Sequence, residues 1–325
     1  MLTYILTWHQ VMPGFIDFLL AFGVSEHAKD FHYSGFRSEM DLDDSLNRLN
    51  LRSLDRSGRE LRLCHVLRSV ERVGPSGNSG RRWPWSLRPT VTYHSFDAVS
   101  NRSVWLIVKA NDLIKRRVRA TCQEQDLYRM DVDDGVDNTF ESTLRTHLVL
   151  CALAGENWRW YINFIEERVQ SLTRGALTEA VDQKSLLTEQ LPHAQTDLQE
   201  KRGLATKAKD RTESGLSFEN LQEVHFVEEK ANEGMLVLRA NFAVIQDLYA
   251  FYAEVNDALI VNPECVKPLP SVIPMFQRHL DITSKELSMQ EARLQTLLKL
   301  LADRKALVRF LPPARILQQG RSLTK

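Results

Sequence analysis

The sequence predicts an α+β fold, predominantly helical, in which a small α/β unit with a β-hairpin precedes long antiparallel stalk-like helices. Three observations predict it. From Leu221 to Tyr252, apolar residues recur every three or four positions, the period of one helix face. A second stripe of helical period joins Phe276, Leu280, Leu287, Leu294, Leu298 and Leu301. Between Thr90 and Val108, an alternating segment and a β-branched, aromatic run flank a turn, which marks paired strands.

Taken in order, Met1 to Phe36 is rich in aromatics, and Phe15, Phe18, Leu19 and Phe22 follow the spacing of a buried helix. Leu61 to Val70 mixes apolar and charged residues and reads as a strand; Gly74 to Gly80 is a Gly/Ser/Pro loop. In the hairpin, Val91, Tyr93 and Ser95 alternate with Thr92, His94 and Phe96. Asp97 to Arg102 turns the chain, and Val104 to Val108 returns it. A lone hairpin is marginal in water, so it must join a larger sheet or pack on helices.

Asn138 followed by Glu141 has the form of a capping box opening a helix through Leu144, Leu148 and Cys151. Gly155 punctuates the pattern, and Trp158, Tyr161, Ile162, Ile165, Val169 and Leu172 continue it. Asp182 to Gly215 is polar and poor in aromatics, the composition of a linker. A helix over Phe218 to Val255 would exceed roughly 50 Å at 1.5 Å per residue. Gly234 inside it costs about 1 kcal/mol relative to Ala and is either a point of close packing or a tolerated defect. Pro263, Pro268, Pro270 and Pro274 then break the chain, and Pro312-Pro313 ends the second long helix. The expected organisation is an α/β unit over residues 1–180, a polar linker over 181–216, a helical hairpin over 217–311 and a basic tail over 312–325.

Composition narrows the function. Lys plus Arg equals Asp plus Glu, 42 of each in 325 residues. Zero net charge argues against general nucleic-acid binding, which needs a basic excess. No stretch supplies the roughly 20 apolar residues of a membrane span. His9, Gln10, Pro13 and Asp17 interrupt the apolar N-terminus, which lacks the basic flank of a secretory signal. Cys64, Cys122, Cys151 and Cys265 are too scattered for a zinc pattern or a disulfide framework, and read as buried thiols in a reducing compartment. The expectation is a soluble, cytoplasmic chain.

Motifs for catalysis are lacking. The nine histidines form no His-Glu-x-x-His pair, and no nucleophile elbow or Walker loop occurs. Cys64 and His65 are neighbours that a strand would point to opposite faces. The chain therefore reads as a non-enzyme. The sharpest acidic cluster is Asp131, Asp133, Asp134 and Asp137, because hard cations prefer carboxylate oxygens. The EF-hand template fails there: Gly135 falls one position early, and no Glu stands twelfth. A solvated loop ahead of a helix N-terminus accounts for the same residues. Lys115-Arg116-Arg117-Val118-Arg119 is either an anion-binding cluster or a solvated helix end. From Arg304 to Lys325 there are six basic residues and no acid. Trp83-Pro84-Trp85 and Trp158-Arg159-Trp160-Tyr161 concentrate aromatic area, for packing or for a binding platform.

Several segments carry a family resemblance. Trp8-His9-Gln10-Val11-Met12-Pro13 and Phe31-His32-Tyr33-Ser34-Gly35-Phe36-Arg37 resemble the opening of fungal CorA-like transporter domain proteins. Trp83-Pro84-Trp85-Ser86, Tyr93-His94-Ser95-Phe96-Asp97 and Lys109-Ala110-Asn111-Asp112-Leu113-Ile114-Lys115 continue the likeness. Gly155-Glu156-Asn157-Trp158-Arg159-Trp160-Tyr161 and Val227-Glu228-Glu229-Lys230-Ala231-Asn232 extend it, so that it runs in order from about Trp8 to Lys305.

The resemblance implies a cytosolic α/β unit followed by long helices. In CorA-type proteins the last long helix leads into a pore helix, and the proteins conduct magnesium and related divalent cations, commonly as pentamers. A Gly-Met-Asn motif recognises the hydrated ion. Here Gly234-Met235 is followed by Leu236, and the pore helices are missing. The chain thus reads as part of the family fold: a truncated gene model, a splice form or a soluble derivative. The resemblance implies a role in divalent-cation transport or its regulation, with magnesium the relevant ion and no cofactor required. It implies a homo-oligomer through the long helices, or assembly with a full-length CorA-like transporter. This chain would not insert into a membrane itself, whereas the complete family architecture is membrane-associated. The alternative is a soluble interaction module whose helical seams bind an unrelated partner.

Overall fold

The computed structural model describes residues 2–21, 33–42, 56–73, 83–122, 139–188, 218–262, 265–266 and 270–309. The elements are α1 (Leu2–Trp8), α2 (Phe15–Leu20), β1 (Phe36–Asp41), β2 (Glu60–Arg72), β3 (Trp85–Asp97), β4 (Arg102–Val108), α3 (Asp112–Cys122), α4 (Thr139–Gly155), α5 (Trp158–Thr188), α6 (Phe218–Val261) and α7 (Val272–Arg309). The fold is the α+β class that the sequence predicts, an antiparallel sheet followed by long helices. The chain divides into two compact units, Met1–Arg159 with Gly234–Glu291 and Trp160–Glu233 with Ala292–Lys325. Helices α5, α6 and α7 each supply residues to both.

In the first unit the sheet has the order β1-β2-β3-β4, every neighbour antiparallel. The strand expected at Leu61–Val70 is β2, 13 residues long and buried along almost its whole length. The expected hairpin is β3–β4, closed by the Asp97–Arg102 pair, with Asn101 in the left-handed region at φ 56. Pro89 sits inside β3, opposite Arg68 of β2. The β3–β4 pairing stops at Val91–Val108, so on that side a missing N–H at position 89 breaks no ladder bond.

Strand alternation assigns the two faces. Cys64, Val66, Val91 and Tyr93 meet Met12, Phe15 and Phe18 in one buried cluster. Phe15 and Phe18 are the buried positions of the short helix that their spacing predicts; Phe22 lies outside the described residues. The opposite face packs on α4 and α6. There Phe96 meets Phe140 at 5.2 Å between ring centroids, and Phe36 meets Phe251 at 6.2 Å. Each fully buried phenylalanine contributes roughly 2–3 kcal/mol through area removed from water. Cys64 and His65 do point to opposite faces, and burial pushes the Cys64 thiol up to about 12, which leaves it inert.

Helix α4 starts at Thr139 and ends at Gly155. Asn138 of the expected capping box lies outside the described residues, and the Glu141 carboxylate pairs with Arg145 one turn on. A Cβ on Gly155 would stand 3.2 Å from Thr283 Cγ2 of α7, so the missing side chain permits a close approach. In this unit α6 is buried on a wider stripe than the single predicted seam. Asn241, Val244 and Leu248 are fully buried, whereas Phe242 and Tyr249, assigned to the seam, are only half-buried. The reason is that α6 packs on the sheet and on α7 at once. Along α7, Ser284 fills the gap in the leucine pattern between Leu280 and Leu287 and accepts a 2.9 Å bond from Gln246 Nε2. Arg239 pairs with Glu291 at 2.7 Å, and Gln277 donates to the Tyr249 carbonyl, so α6 and α7 run antiparallel. Pro274 does not break this helix. It lies in the first turn of α7, where its absent N–H would lack an intrahelical partner in any case.

The second unit consists of helical segments. Ile162, Ile165, Val169, Val227, Leu294 and Leu301 are buried, and Tyr161 Oη donates to the Lys230 carbonyl at 2.6 Å. Around them lie Arg168–Glu223 at 2.5 Å, Arg293–Glu166 at 2.7 Å and Lys305–Glu228 at 2.6 Å. Among the described residues, no helix is long and apolar enough to cross a membrane.

Candidate functional site

Two polar features of the first unit stand out: a buried histidine cluster and an open cleft. Alternation in β2 puts His65 on the face covered by α4; β3 register sets His94 opposite Leu63 on one side and Trp105 on the other. His147 of α4 descends onto them, its Nε2 3.3 Å from His94 Nδ1. The His147 ring lies 5.0 Å from His94, 5.9 Å from His65, 4.7 Å from Trp105 and 5.7 Å from Tyr252, centroid to centroid. Trp105 also stacks on His94 at 4.2 Å. Burial pushes His65 down to about 4 and, with help from His65, His94 down to about 3. Burial and the two neighbouring imidazoles hold His147 well below its ordinary value. All three are therefore neutral at pH 7, too far from that pH for acid–base work. Among the described residues, no group of three or more His, Cys, Asp or Glu is arranged to hold a metal ion.

Farther along β2, at Arg68, Asn241 of α6 is fully buried and copies a strand neighbour. Its Oδ1 accepts from the Arg68 amide at 3.0 Å, and its Nδ2 donates to the Arg68 carbonyl at 2.8 Å and to Ala154 O at 3.3 Å. The Arg68 guanidinium, itself buried, donates to the Tyr33 carbonyl; burial lowers it to about 10, so it stays charged.

The cleft opens at the end of the sheet where the β3–β4 turn meets the C-terminus of α1. Its volume is about 490 Å³, and its walls include Trp8, His9, Arg56, Glu60, Asp97 and Arg102. Helix α1 ends in a Schellman pattern, with Val11 N bonded to Leu6 O at 2.9 Å and Gln10 N to Thr7 O at 3.1 Å. Gln10 occupies the left-handed position at φ 47, a place that glycine fills without strain. Its side chain has a task there: Gln10 Oε1 accepts from Arg56 Nη1 at 3.1 Å.

The two cleft acids differ. Asp97 accepts from Ser57 N at 2.8 Å, Ser57 Oγ at 2.7 Å, Val99 N at 3.0 Å and Ser100 N at 2.9 Å. These bonds outweigh its burial and hold the carboxyl below its ordinary range. Glu60 is almost wholly buried, and desolvation raises it, even with Arg56 and Arg62 nearby and a 3.3 Å bond from Ser95 Oγ. His9 is lowered by burial and by Arg56.

The residues singled out from sequence fall elsewhere. Asp131, Asp133, Asp134 and Asp137 lie outside the described residues. Lys115 to Arg119 lie along α3, with Arg119 in its last turn and Lys115, Arg116 and Arg119 exposed, and Arg117 pairs with Glu156. Trp158 is buried and donates its indole N–H to Ala154 O at 2.8 Å, whereas Trp160 is exposed. No sequence spacing announces the histidine cluster; its one legible element was the alternation that separates Cys64 from His65.

A family model described as CorA-like transporters matches residues 1–177, more than half of the chain. The chain belongs to the CorA-like family. The CorA-like region includes the whole sheet, the cleft, the three histidines and the first part of α5. Helices α6 and α7 lie beyond it. No curated protein matches the chain.

Proposed function

We propose that this chain serves divalent-cation transport as an assembly or regulatory region, with magnesium as the ion sensed and a pore supplied by other CorA-like helices. The single observation behind the reading is the match of residues 1–177 to CorA-like transporters in a chain with no spanning helix among its described residues. In this reading the protein works at the cytoplasmic side of a membrane, and residues 217–311 are the stalk-like hairpin that meets other subunits. Apolar side chains left exposed on that hairpin favour such contacts: Leu236 on α6, and Ile282 and Met289, two turns apart, on α7. The acidic run Asp131, Asp133, Asp134 and Asp137 is the proposed place of cation contact.

The test joins light scattering to thermal melting across 0 to about 10 mM magnesium, a range suited to weak carboxylate sites. Oligomer formation and a raised Tm are expected, and changing all four aspartates to Asn removes the magnesium response. A protein that stays monomeric, with a Tm indifferent to magnesium, overturns the proposal.

A further inference from the structure

The histidine cluster has little room for protons while α4 lies on the sheet. His94 Nδ1 and His147 Nε2 face each other at 3.3 Å, so one carries a hydrogen and the other accepts it. The second nitrogen of each ring is buried without a hydrogen-bond partner among the described residues, and His65 has neither nitrogen bonded. In the neutral cluster, then, one N–H···N bond joins β3 to α4. One added proton keeps that bond, now from imidazolium to imidazole. A second proton on the pair sets N–H against N–H across the same gap and destroys it. A second proton on His65 instead puts like charges into a dry site, where the His65 and His147 rings are 5.9 Å apart.

The surrounding elements offer no compensating anion. Strand β4 supplies Trp105, stacked on His94 at 4.2 Å, and α6 supplies Tyr252, whose phenol burial keeps protonated. On α4, Cys151 lies one turn beyond His147, and burial pushes its thiol up to about 12. Glu141 and Arg145 of the same helix pair with each other. We infer that His65, His94 and His147 form an acid-operated latch between α4 and the sheet, shut with at most one proton and opened by uptake of the others. Once open, the solvated imidazoles charge at their ordinary value and hold α4 away. The latch is independent of the cation role and stands or falls separately.

Nitrogen NMR of the full chain, labelled at histidine, tests it between about pH 7.5 and about pH 4.5, the span in which free imidazole charges. Fluorescence of Trp105, taken as the difference from Trp105→Phe, is followed in parallel. One transition is expected, in which the three imidazoles charge together and Trp105 leaves its stack on His94. Through it the opening equilibrium rises at least about a hundredfold per pH unit, the mark of two or more protons. Asp97 titrates below this span, and Glu60 works against the slope. His147→Gln lowers the steepness by about tenfold per pH unit, the share of one proton. Three separate titrations with Trp105 undisturbed overturn the inference, and this result needs no variant. So does a parent transition of only about tenfold per pH unit, or a His147→Gln transition as steep as the parent's.

Discussion

Helices α5, α6 and α7 pass through two different solvents. In the first unit α6 is buried on about two positions per turn; it carries a fully buried asparagine bonded to strand β2 and, three turns on, sets Tyr252 against His147. In the second unit the same helices bury a narrower apolar strip and bracket it with partly exposed ion pairs. The contrast shows that one helical period supports two kinds of cohesion. Where a sheet supplies a second wall, polar groups go inside, some fully bonded like Asn241 and some, like the His65 ring, with no hydrogen-bond partner among the described residues; where only helices meet, charges stay at the rim and are screened.

The largest expected difference appears with pH. Each buried histidine has a folded pKa below its unfolded value, so its stabilisation is complete above about 6.5 and is lost as pH falls towards about 4 for His65 and about 3 for His94. At pH 5 the loss is about 2 kcal/mol for each histidine that stays neutral in the fold. Glu60, whose pKa is raised, opposes this trend below its own titration. Urea unfolding at pH 7 and pH 5 measures the difference, and His147→Gln flattens the slope by about one proton. Equal stability at the two pH values refutes the assigned neutrality of the cluster.

A smaller effect follows from Asn241→Ala. It leaves the Arg68 amide and carbonyl buried without their α6 partner, at a cost of about 2–3 kcal/mol. Hydrogen exchange at the Arg68 amide is expected to speed accordingly, while amides near Lys230 in the second unit keep their rates. Uniform acceleration through both units would erase the distinction drawn above. The smallest effect belongs to Arg293→Ala, which removes bonds to Asn163 at 2.6 Å and Glu166 at 2.7 Å. The groups are about 40% exposed, so the loss stays under about 1 kcal/mol and shrinks further in about 0.5 M salt. A salt-independent loss above that figure contradicts the rim assignment.

Some of this was written in local pattern. The 3.6-residue stripes of α6 and α7, the alternation of β3 and the split of Cys64 from His65 all follow from one side chain's relation to its near neighbours. Strand β1 escaped detection because Phe36-Arg37-Ser38-Glu39-Met40-Asp41 is an edge strand with four exposed positions in a row and no alternation to read. The upstream part of β3 was hidden by Pro89, which is tolerated only because β4 ends before it.

Periodicity, then, determined the long helices, the β3–β4 hairpin and part of which side of each turns inward, since those choices depend on residues a few positions apart. Register and docking decided the rest. His65, His94 and His147 become one cluster, and Trp8, Arg56 and Arg102 become one cleft, only when β2 pairs with β3 and helices settle on the two faces. The energy that joins them comes from burial and hydrogen bonds between distant segments, and no short-range pattern encodes which distant segments will meet.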